Sequence, residues 1–439
     1  MKQITKITTG TTNFDDLYQV FEFESEEELS NKKARLFSNG KGDDEVATTS
    51  TFLASLSAIK EYREELFCEI GVDKIKSKNP QLHVFTEMTD KKTGNRPDGL
   101  VVITSGKKEP VIVWAAFVEA KVDDNKLDEK QISKYAEYGK KIGITNILTI
   151  SNELVTNQNE SPVKIKQRSV DLFHWSWIYL KVMAKRLIGA GKVADEDHIY
   201  LLKELRRYFD SHKKVSSYSS MGGDWKKTVD EIHDFAPNKN IKKPFLDIVI
   251  DSYQQEEKDI ALQLTDNTGF HIELVTKKDE NREKSLTDML QDNRTIISKF
   301  MVNKNKDLIF FIEVNFISRI VECYTIKKIP DSVGKSVAQT STLLNMLSAA
   351  GLGDDIKIRA FYKGNISNGE NIPLSVLNTE QDRRELYSIL DNDRGDTVKN
   401  YKINMMDKIA GNFSSPTKFV ERLENNAKTF VEQVMGNLK

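Results

Sequence analysis

Apolar positions recur along this chain with two different periods. From Asp43, DDEVATTSTFLASLSAIKEYREELF sets Phe52, Leu56, Ile59 and Leu66 at spacings of four, three and seven. That spacing predicts one amphipathic helix, capped by Asp43 or Asp44. LHVFTEM, RPDGLVVIT and VIVWAAFVEAKV are short apolar runs separated by TDKKTGN and SGKKEP. They predict three strands, the last two joined as a hairpin. KLDEKQISKYAEYGKKIG returns to helical spacing and stops at Gly143. ITNILTIS and SVDLFHWSW predict two further strands, and IYLKVMAKRLI and HIYLLKELRRYF two basic helices. The order from Asp43 to about Ser151 is helix, strand, strand, strand, helix, strand. It predicts an α/β fold, with a mixed sheet flanked by helices.

Outside that block the pattern is weaker. The first 40 residues are polar; LYQVFEF reads as a strand and ESEEELSNKKARLF as a short amphipathic piece. Turn-forming residues gather in SSYSSMGGDW and again in HDFAPNKNIKKP, either of which can end a domain. Beyond them FLDIVIDSY, IALQLTD, FHIELVTK, LIFFIEVNFI, RIVECYTIK and IKIRAFYK read as strands, and Thr397 to Lys439 as helical and charged. A chain of 439 residues accommodates two or three domains. We divide it into an extension (1–42), a first domain with a basic helical tail (43–235) and a C-terminal α+β domain (236–439). The last carries no chemical motif; sensing, oligomerisation and docking of a partner protein are the roles open to it.

Composition narrows the class. Hydrophobic residues make up 38% and charged residues 30%, as in soluble globular proteins. No apolar run reaches the roughly 20 residues that span a bilayer, so no membrane partner is expected. MKQITKITTGTTNF lacks the apolar core of a secretion signal. Cys68 and Cys323 are the only cysteines, which fits a reducing cytoplasm. The net charge of −1 gives no overall pull on nucleic acid. Between Lys164 and Lys214, however, twelve Lys or Arg accompany six Asp or Glu. Lys185, Arg186, Lys203, Arg206 and Arg207 lie in this stretch. A solvated helical face explains them; so does a phosphate-facing patch.

The chemistry concentrates at two strand ends. Asp98 opens one predicted strand and Glu119 closes the next, 21 positions later. An antiparallel hairpin lays those ends side by side. Alternation puts Glu119 and Lys121 on one face. Two carboxylates resist shared burial, and a divalent cation relieves the conflict. Mg²⁺ takes oxygen ligands, polarises a phosphodiester and lowers the pKa of a bound water. A lysine beside it adds positive charge where the reaction builds negative charge.

These residues resemble the PD-(D/E)XK nuclease superfamily, whose fold is restriction-endonuclease-like with an αβββαβ core. Pro97-Asp98 looks like its "PD" and Glu119-Ala120-Lys121 like its "ExK". The resemblance implies that Asp98, Glu119 and the Ala120 carbonyl bind Mg²⁺ or Mn²⁺, and that Lys121 orients the attacking water. Glu45 matches the acidic residue that the family often carries on the helix before the sheet. Favourable charge at a helix N-terminus is the other explanation for Glu45, and Asp44 is the alternative ligand. Gln131 and Tyr135, four apart and ten residues past Lys121, are similar to the QxxxY element of the RecB-like branch. That element supports the metal site and a nearby phosphate. The resemblance covers roughly Asp43 to Tyr179.

Other features point elsewhere. GAGKV at Gly189 lacks the full phosphate-loop spacing and a preceding strand. His174, Trp175 and Trp177 read as packing residues. MGGDW at Met221 reads as a turn. The resemblance implies a metal-dependent enzyme that hydrolyses DNA, of the kind found in bacterial anti-phage and restriction systems; a homo-oligomer is open to it, and cutting of both strands would favour a dimer. The alternative is a catalytically silent nucleic-acid-binding or assembly module on the same fold.

Overall fold

The computed structural model describes residues 4–36, 45–89, 94–123, 125–215, 218–234, 239–277, 280–328, 336–348, 355–362, 371–374 and 398–438. Asp43 and Asp44, the expected caps, lie outside these residues. The chain divides into two compact units, Met1–Ser217 and Tyr218–Lys439.

Unit 1 begins with short helices α1 (Leu17–Val20) and α2 (Glu26–Ser30), then α3 (Glu45–Ala58), α4 (Lys60–Glu69), β1 (Pro80–Thr86), β2 (Gly99–Ser105), β3 (Val111–Ala120), α5 (Glu129–Ile142), β4 (Asn146–Ser151), β5 (Asp171–Ser176), α6 (Trp177–Gly189) and α7 (Glu196–Ser211). The five strands form one mixed sheet in the order β1-β2-β3-β4-β5. β1, β2 and β3 are antiparallel neighbours; β4 runs parallel to β3, and β5 parallel to β4. Helices cover both faces, so β3 is buried along nearly its whole length. Its unbroken apolar run reflects that double covering. On one face Phe52 and Phe67 meet Trp175 edge-on. On the other, Phe117 stacks on Tyr138 of α5.

The stretch taken as an N-terminal extension belongs to this core. Ile7, Leu17, Val20, Phe21, Phe23 and Leu29 are buried against the α5 face of the sheet. LYQVFEF is not a strand: a 3₁₀ turn at Phe14–Asp16 leads into α1. The single helix expected from Asp43 is two, because Ile59 is extended (φ −104°, ψ 102°). Hydroxyls of Thr49 and Ser55 bond back to the carbonyls of Glu45 and Thr51, a competition that bends helices. The break turns Ile59 into the core, fully buried. In α5 the sequence signals hold. Asp128 caps its start, and Gly143 ends it in the left-handed region (φ 84°). A Cβ at Gly143 would come within 2.1 Å of the Ile7 carbonyl oxygen.

Unit 2 contains α8 (Trp225–Asp234), α9 (Lys243–Thr268), β6 (Ile272–Leu274), α10 (Arg282–Asn293), β7 (Thr295–Val302), β8 (Asn305–Asn315), β9 (Ile320–Lys328), α11 (Ser336–Ser348), β10 (Ile356–Phe361), β11 (Ile372–Pro373), β12 (Asn400–Lys408) and α12 (Pro416–Phe430). Its strands form a seven-stranded antiparallel sheet in the order β11-β10-β12-β9-β8-β7-β6. The unit starts earlier than the 235/236 division because α8 packs within it: Trp225 is fully buried and its indole N–H donates to the Phe413 carbonyl. FLDIVIDSY and IALQLTD are not strands but the two ends of α9. Leu246, Val249, Ile250, Tyr253, Ile260, Ala261 and Leu264 are its buried apolar stripe, spaced by three, four and seven. FHIELVTK supplies only the three residues of β6, and Asn400–Lys408 is a strand inside the segment read as helical. Its alternating burial, with β12 in mid-sheet, decides that strand. Both cysteines are free.

Candidate active site

The hairpin of β2 and β3 builds the site. Gly99 pairs with Val118, so Asp98 lies one step outside the ladder, opposite Glu119. Asp98 Oδ2 accepts the Ala120 backbone N–H at 2.8 Å. Gly99 is required by close packing: a Cβ there would stand 2.8 Å from Leu53 Cδ1 and 3.0 Å from the Phe85 carbonyl oxygen. The chain is thus pressed between α3 and β1 next to the carboxylate.

Glu119 is fully buried. Its Oε1 accepts from Lys121 Nζ at 2.6 Å, while Oε2 is buried without a hydrogen-bond partner. The same ammonium reaches Glu45 Oε1 at 3.2 Å and the Ala120 carbonyl at 3.1 Å. Glu45 Oε2 accepts the Val122 N–H at 3.4 Å. Glu45 is the first residue of α3, so the helix start delivers it to the end of β3. Two carboxylates, Glu45 and Glu119, therefore bond one ammonium, and Asp98 stands beside them on the Ala120 N–H.

Electrostatics follow from that count. Burial, then the nearby Asp98 charge, pushes the Glu119 carboxyl up to about 8; Lys121 opposes the rise. Burial also raises Asp98, against the bond from the Ala120 N–H and the charge of Lys121. Burial alone would lower Lys121, but Glu119, Asp98 and Glu45 hold its ammonium well above the ordinary range. One ammonium serves this group of carboxylates, and burial favours the neutral acid at Glu119 until a further cation joins it.

Gln131 and Tyr135 face this corner from α5. Gln131 Nε2 donates to the Tyr135 hydroxyl at 2.7 Å, which donates to the Arg96 carbonyl at 3.1 Å. Burial and the charge of Glu119 raise the phenol far above its usual value, so it stays a donor. Asp98, Glu119, Ala120, Lys121, Glu45 and Tyr135 are thus brought together. The basic residues are placed elsewhere: Lys185 and Arg186 on α6, and Lys203, Arg206 and Arg207 on α7. Arg186 pairs with Glu65 and Glu69, and Arg207 with Glu204.

Sequence reasoning missed two supports. Trp177 Nε1 donates to the Lys121 carbonyl at 2.8 Å, and the Lys121 N–H donates to the Ile150 carbonyl at 2.8 Å. The backbone on either side of the amine is therefore fixed. Trp177 packs, as expected, yet also holds this strand end. His174 is an interior residue, bonded to Thr149 and to the Glu153 carbonyl.

Among the described residues no three His, Cys, Asp or Glu side chains already surround a common point as a metal cage. The donor chemistry nevertheless suits a hard divalent cation: buried carboxylate oxygens, one of them unpaired, and a backbone carbonyl. No helix among the described residues is long and apolar enough to cross a membrane. Compared with family models, curated proteins and solved structures, the chain has no match.

Proposed function

We propose that unit 1 is a metal-dependent nuclease that hydrolyses DNA phosphodiester bonds. One observation carries the reading: Glu119 is fully buried with an oxygen that lacks a hydrogen-bond partner, beside Asp98 and Glu45, and Lys121 is the one cation paired with this carboxylate group among the described residues. A ligand of opposite charge is one way to complete such a group, and here the neighbouring Asp98, Glu45 and Ala120 carbonyl supply the further oxygens that a cation needs. Asp98, Glu119, the Ala120 carbonyl and Glu45 would hold Mg²⁺ or Mn²⁺. When bound, such an ion polarises the phosphodiester and acidifies a coordinated water.

The chain's own groups do the rest. Lys121, charged at neutral pH and tied to Glu119, presents N–H bonds to the attacking water and to a phosphate oxygen. Trp177 and Ile150 hold its backbone, so the amine is aimed before substrate arrives. Tyr135, anchored by Gln131 and the Arg96 carbonyl, fixes the chain leading into Asp98.

The test is plasmid cleavage with Mg²⁺ or Mn²⁺, with and without EDTA, for the natural chain, Asp98→Ala and Lys121→Ala. Metal-dependent nicking lost in both variants supports the reading. DNA binding without cleavage, equal in all three proteins, together with no cation binding by calorimetry, supports a silent binding module instead.

A further inference from the structure

We propose that Lys213 and Lys214, on the segment leaving α7, are phosphate-binding residues at the rim of the carboxylate site. The inference rests on the nuclease reading and adds how a polyanionic backbone is held there.

The segment is anchored beside the site at two places. His212 is buried, and its Nε2 lies 2.7 Å from Thr48 Oγ1; the Tyr208 hydroxyl lies 3.1 Å from the same oxygen. Thr48 is three residues past Glu45 on α3. Further along, the Lys214 carbonyl accepts the Asp123 N–H at 2.8 Å and the Asn152 amide at 2.9 Å, and that amide also reaches the Asp123 carbonyl at 3.0 Å. Asp123 is two residues past Lys121 and takes a left-handed conformation (φ 64°) that turns the chain toward the segment. His212 Nδ1 accepts the Lys214 N–H at 3.2 Å. In the neutral ring Nε2 then carries the proton and donates to Thr48, so one imidazole ties both anchors together. Lys213 and Lys214 are carried between a neighbour of Glu45 and a neighbour of Lys121.

Charge separates them from four other basic residues between Lys164 and Lys214. Lys181 is paired with Asp210, Arg186 with Glu65 and Glu69, Lys192 with Glu65, and Arg207 with Glu204. Lys213 is exposed and Lys214 half-buried, and neither forms an ion pair among the described residues. Exposed Asp123 is joined to Lys214 through the backbone bond, and Asp210, near the end of α7, is paired with Lys181. A site with three carboxylates repels phosphate, so cations at its edge are needed to draw a nucleic acid in.

The experiment uses the full chain and a fluorescent DNA duplex, with Ca²⁺ in place of Mg²⁺, and measures anisotropy over a salt series. The double variant Lys213→Gln/Lys214→Gln should raise Kd about tenfold. It should also make the slope of log K against log salt shallower by about 2, since each phosphate contact contributes roughly 0.9. In Mg²⁺, KM should rise while kcat stays within a few-fold. Lys203→Gln/Arg207→Gln should have the smaller effect. An unchanged melting temperature shows that the double variant is folded. If the natural chain binds and cuts DNA but the double variant keeps the same Kd and slope, this inference is overturned and the nuclease reading stands. If the natural chain neither binds nor cuts with any metal, both fall.

Discussion

The backbone N–H of Ala120 donates to the carboxylate of Asp98 across 2.8 Å, beyond the last paired residues of β2 and β3. One hydrogen bond thus closes the open end of the hairpin and holds Asp98 next to Glu119. It also helps Asp98 keep its charge, against the burial that favours the neutral acid.

Glu119→Gln keeps the shape of the side chain and removes its charge. Under the nuclease reading cleavage should fall about 100-fold or more, because a charged ligand is lost where negative charge must be offset. Mg²⁺ affinity by calorimetry should weaken in parallel. Undiminished cleavage would remove Glu119 from the mechanism.

Gly99→Ala tests how tightly the hairpin is pressed. The added methyl meets Leu53 Cδ1 at 2.8 Å and the Phe85 carbonyl at 3.0 Å. Overpacking of this kind costs about 1–3 kcal/mol. Urea unfolding should show that loss, and activity should drop with it because Asp98 moves.

Tyr135→Phe removes the hydroxyl that joins Gln131 to the Arg96 carbonyl but leaves the ring beside Phe117. The stability loss should be about 1 kcal/mol. Activity should fall roughly tenfold, as for groups that orient a metal ligand from behind. A wild-type rate with equal stability would show that the bond does not matter.

In unit 2, Glu256 and Asp259 of α9 are fully buried, and both Glu256 oxygens lack a hydrogen-bond partner. Burial, then the facing Glu424 of α12, raises both carboxyls well above their ordinary values. Burial brings Glu424 to about 7. Acids whose folded pKa is raised stabilise the fold at low pH and lose that contribution as pH rises. The unfolding midpoint of unit 2 should therefore fall from about pH 5 to pH 8, as Glu424 ionises near 7 and the two deeper acids begin to follow. Glu256→Gln should flatten the fall and stabilise the unit at pH 8. A midpoint that climbs over this range contradicts the assignment.

Glu257 is the opposite case. It is fully buried but bonded to Arg282 at 3.0 and 2.6 Å and to the Ser298 hydroxyl at 2.7 Å. Arg282→Met strands the carboxylate and should cost about 3–5 kcal/mol by chemical denaturation. Replacing Glu257 by Gln in the same chain should recover part of that loss.

Local signals were legible where one element alone decides them. Asp128 and Gly143 bound α5 as their chemistry requires, and the strand ends carrying Asp98 and Glu119 lie side by side. Errors arose where a short window carries two meanings. IALQLTD alternates well enough for a strand, and only the full stripe from Leu246 to Leu264 shows the helical period. The extended residue at Ile59 has no sequence signal as strong as a glycine or proline.

The sequence by itself determined the order of strands and helices from β1 to α7 and the residue types at the strand ends, because periodicity and capping act between neighbours a few positions apart. Tertiary structure alone decided that the segment from Ile7 to Leu29 joins the core, that Arg186 faces carboxylates, and that Lys214 is pinned beside Asp123. It also brought Thr48 to His212, 164 positions away. Contacts of that range depend on which surfaces bury best together, and no local pattern of residues encodes the choice.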